Sequence, residues 1–228
     1  MMVLFSGTYL FLLGLASGLT LFLLSAYRSV SPRWLKWLLM ALGVFTLTRY
    51  VSLAILTLPT APHGSWLLRH CWLASIVGLT LPSVFAIDQL LRHPGLSAQR
   101  VLLWSSPFLV VLSIILLLSP LSPTADPVVG WSFQLGSGWQ MALAIALGAF
   151  GGVILTACLA LCIKISSWPI RTALLGLVLA YSYLLIDGMI VLLGGWYFRP
   201  FLFSEMAALL ALWYAFDTAA KLQRATST

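Results

Sequence analysis

The chain has 228 residues, of which 61% are hydrophobic and only 7% charged, and its net charge is +7. A soluble domain carries about 25% charged residues, so this composition cannot build a water-facing surface. Two or more soluble domains are excluded, because no polar stretch is long enough for even one. The excess of basic residues is not a nucleic-acid signal: these residues fall in short loops between apolar runs, where they set topology. The expected partner is the lipid bilayer, with no nucleic acid, and the expected place is the cell (plasma or inner) membrane, as a multi-pass protein.

A spanning helix needs about 20 mostly apolar residues. Seven segments qualify, so the expected fold is an all-α bundle of seven membrane helices forming a single transmembrane domain over 1–228. The first span, 3–27, carries GLASG at 14–18. It has no basic leader, and its apolar region is too long for a cleavable signal peptide. RSVSPR leads into the second span, 34–58, which holds Arg49 and Tyr50 in its interior. After PTAPHGS comes the third span, 66–91, with Arg69 and His70 near its start and Pro82 within it. HPGLSAQR precedes the fourth span, 101–120, which contains Pro107. Both prolines are expected to kink their helices. The long connection 119–138 is rich in Ser, Pro and Gly and shows no period. The fifth span, 139–164, holds Gln140, the GAFGG run at 148–152, Cys158 and Cys162. SSWP separates it from the sixth, 170–194, with Tyr181, Tyr183 and Asp187. GWYFRP leads to the seventh, 200–222, with Glu205 near its start and Asp217 and Lys221 near its end.

GLASG and GAFGG are small-xxx-small patterns and are read as intramolecular helix packing in preference to dimerisation. The three cysteines, Cys71, Cys158 and Cys162, all lie in apolar runs without a CxxC motif. Cys158 and Cys162 share a helix face, but no histidine or carboxylate in that run joins them, so packed thiols are expected and no metal.

Loop charges set the orientation. Arg28, Arg33, Lys36, Arg92, Arg100, Lys164, Arg171, Lys221 and Arg224 fall on one side, nine of the twelve basic residues. The positive-inside rule then places the N-terminus outside and the C-terminus in the cytosol. Trp34, Trp37, Trp66, Trp72, Trp131, Trp139, Trp168 and Trp196 cluster near span ends, as in interfacial aromatic belts.

With that orientation, Arg49, Arg69, Asp187 and Glu205 all fall in the outer half of the bundle, together with Tyr50, His70, Gln140, Tyr181 and Tyr183. A charge near the bilayer centre costs about 2.5–3.5 kcal/mol on insertion scales, so it needs a partner or a task. One reading is an ion-pair lattice, Arg49 with Asp187 and Arg69 with Glu205. The other is a polar pocket open to the outside that binds a small ligand or an ion, and a ligand could replace one partner of a pair. If no basic group reaches Asp187, a carboxyl bonded to a neighbouring carbonyl or hydroxyl is the alternative. The candidate ligand-binding or ion-pair residues are therefore Arg49, Tyr50, Arg69, His70, Gln140, Tyr183, Asp187 and Glu205. Asp88 and Asp217, near the cytosolic ends, need no function: Arg92 and Lys221 follow them at i+4.

No catalytic residues are expected, because no nucleophile-elbow, HExxH or Walker-type motif occurs. His63, His70 and His93 lie near loops rather than opposed at mid-span, which disfavours haem. The only lysine of the seventh span, Lys221, is at its cytosolic end. A retinal Schiff base of the microbial-rhodopsin kind is therefore disfavoured, and the cofactor is unknown.

LLRHCWLASIVGLTLPSVFAIDQLLRHPG combines a mid-span Pro82, a following Phe85 and a basic, glycine-containing exit. WSSPFLVVL opens the fourth span, and GSGWQ enters the fifth. On these stretches the chain resembles, over 34–222, the seven-span N-terminal sensor region of some bacterial histidine kinases and diguanylate cyclases. The resemblance implies a bacterial inner-membrane sensor in signal transduction. No kinase or cyclase sequence follows KLQRATST, so a protein partner or output module is implied as well. The expected function is a receptor-like sensory or ligand-binding module. The alternatives are a small-molecule or ion transporter subunit and a structural membrane subunit of a larger complex.

Overall fold

A computed structural model describes residues 2–57, 68, 71, 74–91, 97–126, 130–192 and 202–227. Seven long helices run through them: α1 (Met2–Tyr27), α2 (Arg33–Leu56), α3 (Ala74–Leu91), α4 (Ala98–Leu118), α5 (Ser137–Lys164), α6 (Trp168–Leu192) and α7 (Leu202–Ser227). In an apolar solvent every backbone N–H and C=O must be satisfied within the segment, which is why these apolar runs are helical throughout. α1 to α6 are each long and apolar enough to cross a membrane. Their outward faces carry large apolar side chains, among them Phe11, Phe22, Leu103, Trp104, Ile145, Ile163, Leu179 and Met189. Such a surface suits lipid and not water. The chain is built as a multi-pass membrane protein.

Each helix packs on the next in sequence, and α1 packs on α7, so the seven close into a ring. α3 and α7 also pack on each other across the middle. α7 lies deepest: Ala208, Leu209, Leu212, Ala215 and Phe216 are buried, and Leu210 and Tyr214 are its only exposed large hydrophobics among the described residues. It carries Glu205, Asp217, Lys221 and Arg224 and is not among the six apolar helices. A helix shielded from lipid by its neighbours tolerates charge that a lipid-facing helix does not.

α3 holds this arrangement through one close approach and one proline. A Cβ on Gly78 would lie 1.7 Å from Thr46 Oγ1 and 3.1 Å from the Leu42 carbonyl, so only glycine lets α2 and α3 meet here. Helix α3 continues through Pro82. Proline has no N–H to offer the carbonyl four residues back. One residue along, the Leu79 carbonyl accepts a hydrogen bond from the Tyr181 hydroxyl of α6 at 2.9 Å. The proline thus coincides with a cross-bundle tie.

Two sequence expectations fail. The 119–138 connection is not irregular: β1 (Leu121–Asp126) and β2 (Gly130–Leu135) form an antiparallel hairpin, with Leu121 opposite Leu135 and Pro123 opposite Phe133. Trp131-Ser-Phe133-Gln-Leu135 alternates apolar and polar, the period of a strand with one buried face. Leu121 and Phe133 pack on Leu56, so the hairpin lies over the final turn of α2. The second failure concerns GLASG and GAFGG. Among the described residues, a Cβ at Gly14, Gly18, Gly148 or Gly152 would meet nothing within 4 Å, so none of the four marks a close helix approach there. Gly151 does, against Leu185.

Candidate functional site: a buried polar network at one end of the bundle

α2 and α6 end, and α3 and α7 begin, at the same end of the bundle. Three polar side chains from two of these helices, α2 and α3, converge there on Glu205, in the first turn of α7. Arg49 Nη2 lies 2.8 Å from Glu205 Oε1, and Arg49 Nε donates to Oε2 at 3.2 Å. This is the two-pronged geometry in which a guanidinium best matches a carboxylate. The Tyr50 hydroxyl donates to Oε2 at 3.2 Å, and the Ser75 hydroxyl donates to Oε1 at 2.8 Å. Arg49, Tyr50, Ser75 and Glu205 are all buried. The position favours the negative charge further, because the first turn of a helix presents the positive end of its dipole.

Asp187, near the end of α6, is 1% exposed. Its Oδ2 accepts a hydrogen bond from Ser204 of α7 at 2.5 Å. Its Oδ1 is buried and has no hydrogen-bond partner among the described residues. The expected Arg49–Asp187 pair is therefore not formed; Arg49 is committed to Glu205. Depth along the helices put Arg49 and Asp187 level with each other, but depth says nothing about rotation around the helix axis, and rotation decides the partner. Asp187 is bonded instead to the neighbouring Ser204 hydroxyl.

The other expected residues divide. Arg69 and His70 lie outside the described residues, and with them the proposed Arg69–Glu205 pair; the Glu205 oxygens already carry Arg49, Tyr50 and Ser75. Tyr183 is half-buried one turn before Asp187 on α6. Gln140 is half-buried in the first turn of α5, and no hydrogen bond joins its side chain to the network among the described residues. The sequence reading missed Ser75 and Ser204. The signal for Ser204 was its place directly before Glu205; Ser75 had none, because its role depends on which helices are neighbours. At the other end of the bundle, Asp217 pairs with the largely exposed Lys221 at 2.6 Å, as the i,i+4 spacing implied.

No protein-family model, no curated protein and no solved structure matches this chain. The reading of the site thus stands on its chemistry. The described residues hold no group of three or more His, Cys, Asp or Glu side chains that could bind a metal. Cys158 and Cys162 are buried free thiols, and Cys162 Sγ lies 3.8 Å from the Arg171 carbonyl. What remains is a desolvated, oriented cation–carboxylate pair with two hydroxyl donors.

Proposed function

We propose that this chain is a receptor-like sensory or ligand-binding module of the membrane. In this reading α7 is a seventh span, the N-terminus is outside, the C-terminus is cytosolic, and the polar network lies in the outer half. The observation that carries the proposal is the convergence of Arg49 and Tyr50 of α2 and Ser75 of α3 on Glu205 of α7. A bundle held by packing alone has no need of it: buried ion pairs are often no more stabilising than apolar residues of similar volume. Charges kept at membrane depth mark functional sites by default. The loop charges support the orientation, and the resemblance over 34–222 to kinase and cyclase sensor regions supports a signalling role through a partner. The hairpin over the end of α2 fits a cover for a site approached from outside.

The test is ligand-induced stabilisation. The purified protein in detergent is melted with a set of small carboxylates, amines and zwitterions. A ligand that engages the network raises the melting temperature of the wild type. It leaves the Arg49→Ala/Glu205→Ala double variant unchanged. A ligand that stabilises both equally binds elsewhere, and the proposal then fails for this site.

A further inference from the structure

The two buried carboxylates at this end of the bundle are treated very differently. Glu205 has a guanidinium and two hydroxyl donors. Asp187 has one hydroxyl, from Ser204, and a bare second oxygen. Asp187 forms no ion pair with any described Lys, Arg or His, although it is 1% exposed. Among the described residues Arg49 and Glu205 pair with each other, and no cationic side chain pairs with Asp187. A buried ion that is neither paired nor fully hydrogen-bonded is strongly unfavourable.

We infer that Asp187 and Ser204, at the seam of α6 and α7, are the protein ligands of a single alkali-metal cation. The donor chemistry selects this class. Carboxylate and hydroxyl oxygens are hard donors, which suit alkali and alkaline-earth ions over transition metals. A divalent ion calls for more negative charge, and no third acidic, His or Cys ligand gathers around Asp187 among the described residues. A single carboxylate matches one positive charge. The bare Oδ1 is where the cation gains a ligand that the protein leaves unsatisfied. The cation would bind beside Glu205, the residue following Ser204, and its charge would bear on the Arg49–Glu205 pair. The inference deepens the ligand-binding reading by naming an ion for one of its carboxylates. It does not require an organic ligand or a signalling role.

The experiment uses the full chain in detergent at constant ionic strength. Melting is followed in NaCl, KCl or LiCl titrated against N-methyl-D-glucamine chloride, at pH 7.5 and at pH 5.5. One of the three alkali ions should raise the wild-type melting temperature along a saturable curve. Asp187→Asn should fold and lose that dependence altogether. Ser204→Ala keeps the carboxylate and removes one ligand, so its half-saturating concentration should rise about tenfold, the effect of roughly one hydrogen bond to a charged group. If Asp187→Asn does not fold, the Ser204→Ala shift alone decides. The inference is overturned if melting is the same in N-methyl-D-glucamine as in all three alkali salts at both pH values. It is also overturned if lowering the pH stabilises the wild type equally in N-methyl-D-glucamine and in all three alkali salts. An unchanged cation dependence in Asp187→Asn or Ser204→Ala overturns it too. Melting the Arg49→Ala/Glu205→Ala variant in the same salts separates this result from the organic-ligand test: either can fail while the other holds.

Discussion

Removing Glu205 should be among the most destabilising single changes in this protein. Glu205→Ala leaves the buried Arg49 guanidinium without the carboxylate that accepts from both Nε and Nη2. It also strips the Tyr50 and Ser75 hydroxyls of their acceptor. Breaking a buried pair by deleting one partner costs about 3–5 kcal/mol, mostly through the charge left behind. Arg49→Ala should lie at the lower end of that range, because the stranded carboxylate keeps two hydroxyl donors and the N-terminal end of α7. The double variant buries neither charge. It should recover much of the loss, with a coupling of about 2 kcal/mol or more, as expected for residues in one hydrogen-bonded network. Unfolding free energies measured by steric trapping in bicelles give all four corners of the cycle. Simple additivity would mean that Arg49 and Glu205 are not energetically paired in the membrane.

The second large effect is steric. Gly78→Ala places a methyl group 1.7 Å from Thr46 Oγ1 and 3.1 Å from the Leu42 carbonyl oxygen. Neither obstacle yields readily. The carbonyl is backbone, and the Thr46 hydroxyl is itself bonded to Leu42 O at 2.9 Å. Overpacking typically costs about 1–3 kcal/mol and occasionally more. Here α2 must move away from α3, and Arg49 moves with it, less than one turn further along the same helix. Gly78→Ala should therefore lower the melting temperature and loosen the Arg49–Glu205 pair together. Gly78→Leu should prevent assembly. Thr46→Ala removes the nearest obstacle, so Gly78→Ala/Thr46→Ala should regain most of the stability of the wild type. A Gly78→Ala protein that melts like the wild type would show that α2 and α3 do not approach so closely.

The helices were legible because lipid imposes length and apolarity on each segment separately. Their ends fall within a few residues of the expected spans for α1, α2, α4, α5 and α6. The central position of α7 was not legible. Its charges marked it as the least lipid-like segment, yet only the packing of α1, α3 and α6 around it shows why they are tolerated. The hairpin was legible in the alternation of Trp131, Phe133 and Leu135, which the surrounding Ser, Pro and Gly concealed. For the site, depth arithmetic put Arg49, Tyr50, Asp187 and Glu205 at one end of the bundle. It took Asp187 as the partner of Arg49, where the structure has Glu205. That choice rests on which helix faces meet, a property of the whole bundle and not of any one segment. The glycine patterns misled for a related reason. Gly14 and Gly18 have the spacing of a close contact, but among the described residues nothing lies within 4 Å of a Cβ placed there.

The proposal at stake is that the buried network around Glu205 is a binding site reached from outside and not a sealed structural lattice. Ser75 tests it most directly, because its hydroxyl touches Glu205 Oε1 at 2.8 Å and a cysteine there changes the side chain by one atom. Cys71, Cys158 and Cys162 are first replaced by serine, and Ser75→Cys is added. Intact cells are then treated with a membrane-impermeant, positively charged methanethiosulfonate. The account predicts that Ser75→Cys is modified from outside while the protein stays folded, and that Arg49→Ala, which uncovers Glu205, speeds the reaction. Modification only from the cytosolic side, or none until the protein is unfolded, would contradict it.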